Sequence, residues 1–517
     1  MPRARLDRRD LAAMVALMAL GLALRLAWAS GYGLGDDWIY RLDIANVLSG
    51  RIPSNPQNAY RFTWWLPTAL SCRVLGLSER GLILPITTFA VLGLGVVYAL
   101  GKALFGRAGA WMAALLLVVH PLDVAWSTML AGDVIVSFFS GLCVLGLLRA
   151  LEDAPSRAKR RWWAVAAAAL WLAYHAKLSA LMLVPALVAA LVLERRRLDR
   201  QCLVFPAAAV LLFGGSIVWC WIFDHDPLAA YHGELTAQGL SGANAAAGHR
   251  VELGPFLGIY PGWLFLPDML GDLLNSVYPH LVVLLALASP WLGLRTSLVA
   301  ACWFASVFFG LEFNLQRADG VWIAGFRNIR HAHVFVYPLV LLLAGYLAGL
   351  RARWRRAGDA LLVALLAFSA WQSVATASKT SVAFGDLRRA ATFLAGLPRK
   401  PVYSDFQVRN WLPVLDVTPP LEGHELAYND MAKRRLELAD IRSGYLVTGG
   451  AREPYWGCIA CIPSMSELEP GQWRLLAEFP GPPPRPWRPE PLRVWEAVDT
   501  GPVDGTQEGN DAGGESG

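Results

Sequence analysis

The chain has 517 residues, of which 55% are hydrophobic and 17% charged, with a formal net charge of +6. So little charge cannot coat a soluble body of this length, which excludes a soluble globular protein and leaves an integral membrane protein. The excess Lys and Arg cluster in short loops between apolar blocks, so membrane orientation accounts for the basic balance and no nucleic-acid partner is implied.

Apolar blocks of about 20 residues, the length that crosses about 30 Å of hydrocarbon, recur from Leu11 to about Trp371. The first, residues 11–30, is too long for a signal peptide and is read as an uncleaved span despite the small residues of "AWASGYG". Basic clusters follow at "MPRARLDRR", Lys102 with Arg107, "RAKRR", "ERRRLDR", Arg295 and "RARWRR". Lys and Arg in short loops stay on the cytoplasmic side. Parity then predicts about eleven spans, with the N-terminus inside and the C-terminal region outside. One interval strains this count, because Trp162 to Leu193 is too short for two full spans. Two short or broken spans are predicted there, meeting near "AYHAKLS" and carrying Lys177 to the outer side or into a polar cleft.

The sequence therefore reads as a polytopic α-helical membrane domain over residues 1–377, with outer loops at 31–80, 224–278 and 312–331. A small extracytoplasmic α/β domain follows over 378–499. There "DLRRAATFLAGL" has helical spacing, and "PVYSD", "GYLVTGG", "WRLLAEF" and "LRVWEA" read as short strands. The Gly-, Asp- and Glu-rich tail 500–517 reads as disordered. Cys458 and Cys461 in "GCIAC" face an oxidising compartment on this topology and read as a local disulfide rather than a metal or redox pair.

Ionisable groups at a membrane boundary are expensive unless they meet water or a partner, so their clusters mark candidate sites. Asp36, Asp37, Asp43 and Arg61 fall in the first outer loop. Asp123 and Asp133 flank "VAWSTMLAGD", Lys177 sits at the broken span, and Arg327, Arg330, His331 and His333 sit in the third outer loop. Carboxylates with several cations in one cleft suit a reaction that deprotonates a hydroxyl while expelling an anionic phosphate. The alternative is that each acid pairs with a nearby base in a structural network. "DHD" at 224–226 is read as a polar loop opening rather than a metal site, His175 as a satisfied interior histidine, and the 22 Trp mostly as an interface belt. Residues 231–272 read either as a lid over bound substrate or as a variable loop.

The order of these motifs resembles the GT-C superfamily of membrane glycosyltransferases, in particular the group of protein O-mannosyltransferases and the lipid A aminoarabinose transferase. "GDDWIYRLDIANVLSGR" resembles that group's Asp-Glu-x-x-Tyr opening of the first outer loop, and "YRFTWWLPTALSCRVLGLSERGLILP" its basic-then-Pro segment. "HPLDVAWSTMLAGDVIVSFF" is similar to its Pro-to-Asp segment, "AYHAKLSALMLVPALV" to its Lys-bearing segment, and "RNIRHAHVFVYPLVLLLAGYL" to its late Arg-bearing stretch. Asp37 departs from the usual Glu, which shortens the reach of the carboxylate. Arg61 stands where the aminoarabinose transferases carry Lys, which keeps the charge and changes the phosphate geometry.

The resemblance implies an inverting transfer from a polyprenyl-phosphate sugar to an acceptor hydroxyl at the outer face of a bacterial cytoplasmic membrane. The acceptor would be an envelope glycan, lipid or protein. Asp36 matches the catalytic base, with Asp37 orienting it or a bound cation. Arg61, Lys177 and Arg330 are candidates for the donor phosphate, and Tyr40, Asp133 and His331 for positioning donor or acceptor. No cofactor is assigned, and a divalent metal is left open. Two other readings are a polyprenyl-linked glycan flippase or transporter, and a glycan ligase or polymerase using a diphosphate-linked donor. A transporter spreads its charges through the membrane midplane in symmetric halves, whereas here they collect at one face.

Overall fold

The computed structural model describes residues 6–29, 31–32, 37–130, 132–152, 154–237, 297–312, 315–318, 321–324, 333–381, 385–404, 426–427, 443–448, 471–480 and 491–498. The chain divides into two compact units, Met1–Ala383 and Phe384–Gly517.

The first unit is helical and multi-pass. Among the described residues six helices are long and apolar enough to cross a membrane, with two shorter apolar helices at Leu178–Leu193 and Ser297–Leu311. The parity count of about eleven is not a number these residues give, since 238–296 lies outside them. α1 (Arg8–Ala27) opens on a reciprocal capping box between Asp7 and Asp10. Asp10 is fully buried and accepts from Tyr98 Oη at 3.0 Å, from Arg107 Nε at 2.9 Å and from Lys102. The two basic residues that sequence places in a loop thus neutralise an acid on the first span.

The first outer loop is helical in the structure: α2 (Asp37–Leu48), α3 (Pro56–Ala59) and α4 (Phe62–Leu75) fill it. α5 (Glu79–Val118) is two helices joined at Gly106, whose φ of 75° is the left-handed conformation glycine tolerates. α6 (Pro121–Trp126) is short and begins with Pro where its missing N–H is not needed. α7 (Gly132–Ala150) and α8 (Ser156–Tyr174) pack tightly at Gly146, where an added Cβ would lie 3.0 Å from the Ala166 backbone. Small residues allow this approach where lipid supplies no hydrophobic drive between helices.

α8 stops at His175, and Lys177 is extended (φ −167°, ψ 141°) before a 3₁₀ turn, Leu178–Leu183, leads into α9 (Val184–Leu193). The break falls within "AYHAKLS", where the short interval between basic clusters predicts it. α10 (Val204–Asp224) presents Val210 and Leu211 more than 70% exposed, with Trp219, Trp221 and Phe223 exposed near its end. An apolar face of this kind suits lipid, and aromatic rings concentrate at the membrane interface. α11 (Ala229–Ala237) follows.

α12 (Ser297–Glu312) leads to a hairpin of β1 (Leu315–Ala318) and β2 (Val321–Ala324), paired antiparallel within the segment read as the third outer loop. α13 (Val336–Arg353) buries Tyr337 in a notch cut by glycines. A Cβ on Gly93 of α5 would overlap the Tyr337 hydroxyl, and one on Gly141 of α7 would lie 3.0 Å from its ring. α14 (Arg355–Ser381) closes the unit.

The second unit carries α15 (Gly385–Ala395) and a five-stranded sheet. Leu387, Ala390, Ala391 and Leu394 form the buried stripe of α15 at helical spacing. The strands are β3 (Val402–Ser404), β4 (Leu426–Ala427), β5 (Tyr445–Thr448), β6 (Trp473–Phe479) and β7 (Leu492–Ala497), in the order β4-β3-β5-β7-β6. β3 pairs parallel with β4 and β5, and β7 antiparallel with β5 and β6. The four strands expected from sequence are present as β3, β5, β6 and β7. β4 was not expected, because a two-residue strand carries no periodicity. Cys458 and Cys461 lie outside the described residues.

Candidate active site

α2 begins at Asp37, where a carboxylate in the first turn meets the positive end of the helix dipole. Asp37, Tyr40, Asp43 and Ile44 are its buried positions, spaced to lie along one face. Tyr40 packs its ring on Trp64 of α4 at 4.8 Å between centroids. Asp43 is used up in folding the segment ahead of Arg61. Its Oδ1 accepts from the Ser54 and Asn55 backbone N–H groups at 2.8 and 3.1 Å and from Ser54 Oγ at 3.0 Å, while Oδ2 accepts from Asn58 Nδ2 at 2.7 Å.

Asn58 in turn presents Oδ1 to Arg61 Nη1 at 3.3 Å. Arg61 stands immediately before α4 and is 7% exposed. Its Nη2 donates to Glu234 Oε2 of α11 at 2.5 Å. Burial works against the guanidinium charge, but Glu234, Tyr40 and Asp133 together hold its pKa above the ordinary value. Two further ties fix this segment. His175 Nδ1 meets the Tyr60 carbonyl at 2.9 Å, and the Tyr60 hydroxyl donates to Asp224 at the end of α10. Burial and Asp224 both raise the pKa of that phenol.

Lys177, held at the helix break, donates to Asp133 Oδ1 at 2.9 Å, and Asp133 is buried in the first turn of α7. Asp133 therefore lies within electrostatic reach of both cations, bonded to Lys177 and felt by Arg61. Of the eight residues proposed from sequence, Tyr40, Arg61, Asp133 and Lys177 converge here, with Asp37 one helical turn before Tyr40. Asp36, Arg330 and His331 lie outside the described residues, as does Arg327.

His175 is satisfied on both ring nitrogens. Nδ1–H serves the Tyr60 carbonyl, which leaves Nε2 to accept from Ser216 Oγ at 2.8 Å. In "DHD", Asp224 holds Tyr60, and Asp226 accepts from the Leu228 N–H at 2.9 Å and pairs with His232 at 2.6 Å, which lowers its pKa. His225 takes a left-handed cap with φ 55°. Among the described residues no three His, Cys, Asp or Glu side chains form a group that could hold a metal ion.

Asp123 takes the structural role. Fully buried, it sits between Arg25 of α1 and His333, whose Nε2 lies 2.8 Å from its Oδ1. His333 Nδ1 meets Ser137 Oγ at 2.9 Å, and Ser137 donates to the Asp133 carbonyl at 3.0 Å. Two members of these networks escape sequence reasoning. Arg25 interrupts the first apolar block, a signal that was available. Glu234 is an isolated acid in a loop, with nothing local to mark it.

Comparison with known proteins bears on the fold that carries these residues. Residues 62–221 match the family model described as dolichyl-phosphate-mannose-protein mannosyltransferase, a stretch that holds Asp133 and Lys177. The structure of ArnT from Cupriavidus metallidurans bound to undecaprenyl phosphate is similar to the chain with a TM-score of 0.55 at 16% identity. The similarity covers 95% of this chain and 98% of that one. The chain has the GT-C glycosyltransferase fold. The oligosaccharyltransferase of Archaeoglobus fulgidus, in complex with Zn and sulfate, shares this GT-C fold with a TM-score of 0.52 at 15% identity, over 78% of this chain and 61% of that one. Its form tethered to an acceptor peptide gives 0.53 at 13% identity, over 79% and 63%. No curated protein matches by sequence.

Proposed function

We propose that the protein is an inverting glycosyltransferase that moves a sugar from a polyprenyl-phosphate donor to an acceptor hydroxyl. The reaction would occur at the outer face of a bacterial cytoplasmic membrane, with the N-terminus inside and the second unit outside. The observation that supports this most is the presence of two cations beside Tyr40, Lys177 bonded to the buried Asp133 and Arg61 bonded to the buried Glu234 and within electrostatic reach of Asp133. Two cations held close together suit a lipid phosphate. The similarity to a protein bound to undecaprenyl phosphate points to the same class of donor.

In this reading the acceptor oxygen attacks the anomeric carbon while the bond from that carbon to the phosphate oxygen breaks. Asp36 takes the acceptor proton, and Asp37, fixed at the start of α2, orients Asp36. The departing phosphate is a weak base and needs no strong general acid. Preorganised cations suffice to stabilise its developing charge, and they act more strongly in a desolvated site than in water. Arg61 and Lys177 take that role, with Arg330 as the third candidate. Asp133 keeps Lys177 in place, and Tyr40 with His331 position donor or acceptor.

The test is the mass-spectrometric profile of polyprenyl-phosphate sugars and envelope glycans in cells lacking the protein, complemented with wild type or Asp36→Asn. The expected result is accumulation of one monophosphate-linked sugar with loss of one glycan decoration, corrected by wild type alone. Full complementation by Asp36→Asn at wild-type expression would remove the catalytic assignment.

A further inference from the structure

The two hydrogen bonds of the Arg61 guanidinium differ in origin. Nη1 is held by Asn58, and Asn58 by Asp43, all within one continuous segment that folds on itself. Nη2 is held by Glu234, which comes from 173 positions further along the chain on the nine-residue helix α11. Both side chains of that ion pair are only 8% exposed. Near its start α11 is folded locally, where Asp226 caps the Leu228 N–H and pairs with His232, so that turn does not depend on Glu234.

A buried guanidinium cannot shed its proton and is costly without a counter-charge. In the protein without donor, that counter-charge is Glu234. A phosphate monoester offers the same guanidinium an equivalent anionic oxygen in a charge-assisted hydrogen bond. The carboxylate and the phosphate therefore compete for one seat, whereas Asn58, being neutral and fixed by Asp43, stays with the arginine in either state.

Resting on the reading of the site as one for a polyprenyl phosphate, we infer that Glu234 occupies the phosphate seat on Arg61 in the empty protein and is exchanged for the donor phosphate on binding. Glu234 is then the side chain that sets donor affinity. It keeps the empty cleft neutral and rejects neutral polyprenols, which cannot replace a carboxylate on Arg61. Removing its charge penalises the empty state and spares the loaded one, so the ligand gains what the competitor loses.

The experiment uses the full chain in detergent, with undecaprenyl phosphate as ligand and undecaprenol as control, read by thermal unfolding and by binding titration. Glu234→Gln is expected to lower the unfolding temperature without ligand and to bind undecaprenyl phosphate on the order of tenfold more tightly than wild type. Glu234→Asp, which keeps the charge on a shorter arm, is expected to fall between the two, and undecaprenol is expected to stabilise none of them. If Glu234→Gln unfolds without ligand, rescue by undecaprenyl phosphate supports the exchange and failure of rescue overturns it. Equal or weaker binding by Glu234→Gln, with wild type binding normally, overturns the exchange and leaves the donor reading intact. Absence of binding by both proteins removes the donor reading and the exchange with it.

Discussion

In the proposed reading, Lys177 and Asp133 show how a side chain is prepared for chemistry. The lysine projects from a helix break, where its backbone is extended, and its ammonium is held 2.9 Å from a buried carboxylate. Lys177→Met keeps the stem and removes the charge. It is expected to reduce kcat by about 10²-fold, the scale of losing one preorganised donor to a developing oxyanion, measured with a polyprenyl-phosphate sugar. Asp43 illustrates the opposite role. Its carboxylate accepts four hydrogen bonds that build the turn in front of Arg61. Asp43→Ala leaves the buried Asn58 amide and three part-buried donors of Ser54 and Asn55 without an acceptor, and is expected to destabilise the first unit by roughly 1–3 kcal/mol. The same change should raise KM for donor, because Asn58 loses its anchor. Equal KM in Asp43→Ala and wild type would show that the turn does not position Arg61.

At the scale of elements, the notch for Tyr337 makes a paired prediction. Gly93→Ala places a methyl on the Tyr337 hydroxyl, which has no hydrogen-bond partner among the described residues, and is expected to cost about 1–3 kcal/mol. Tyr337→Phe removes the colliding oxygen at little cost, and the double variant should recover part of the loss in a thermal-unfolding cycle. In the second unit, Lys400 and Arg474 hold the Glu496 carboxylate below its usual range. A depressed carboxylate stabilises the fold above its unfolded pKa of about 4.3 and loses that contribution as pH falls through the folded value. The stability gap between wild type and Glu496→Gln should therefore be present at pH 7 and shrink below about pH 4. Elements of this kind were legible in sequence wherever one rule acts locally. Short strand-like runs mark β3, β5, β6 and β7, spacing marks α15, and the short interval between basic clusters marks the break at Lys177. Glu234 and Arg61 were not legible as a pair, because 173 residues separate them and each looks ordinary in its own segment. Asp43 and Asp123 looked like site acids for the same reason, since burial beside a partner is invisible in a string.

For the molecule as a whole, the distribution of charge along the chain underlies a proposed orientation that labelling can test. The proposed topology puts the basic loop after α13 inside and the second unit outside. Arg399→Cys in intact cells should react with a membrane-impermeant maleimide above the wild-type background, and Arg356→Cys should react only after the membrane is opened. Both positions are exposed in their own units. The reverse pattern would invert the topology and move the candidate site to the cytoplasmic side.

Arg25 carries a consequence for how such a protein is made. The first helix enters the bilayer with a cation near its far end, and the acid that neutralises it, Asp123, is synthesised 98 residues later. Until then the long stem must reach for headgroups, as arginines near helix ends do. His333, the other side chain bonded to Asp123, arrives later still, 210 residues after it. Biogenesis of this end of the bundle is therefore ordered from the N-terminus. The opening helix waits, provisionally anchored by lipid, for a partner that the ribosome has not yet produced.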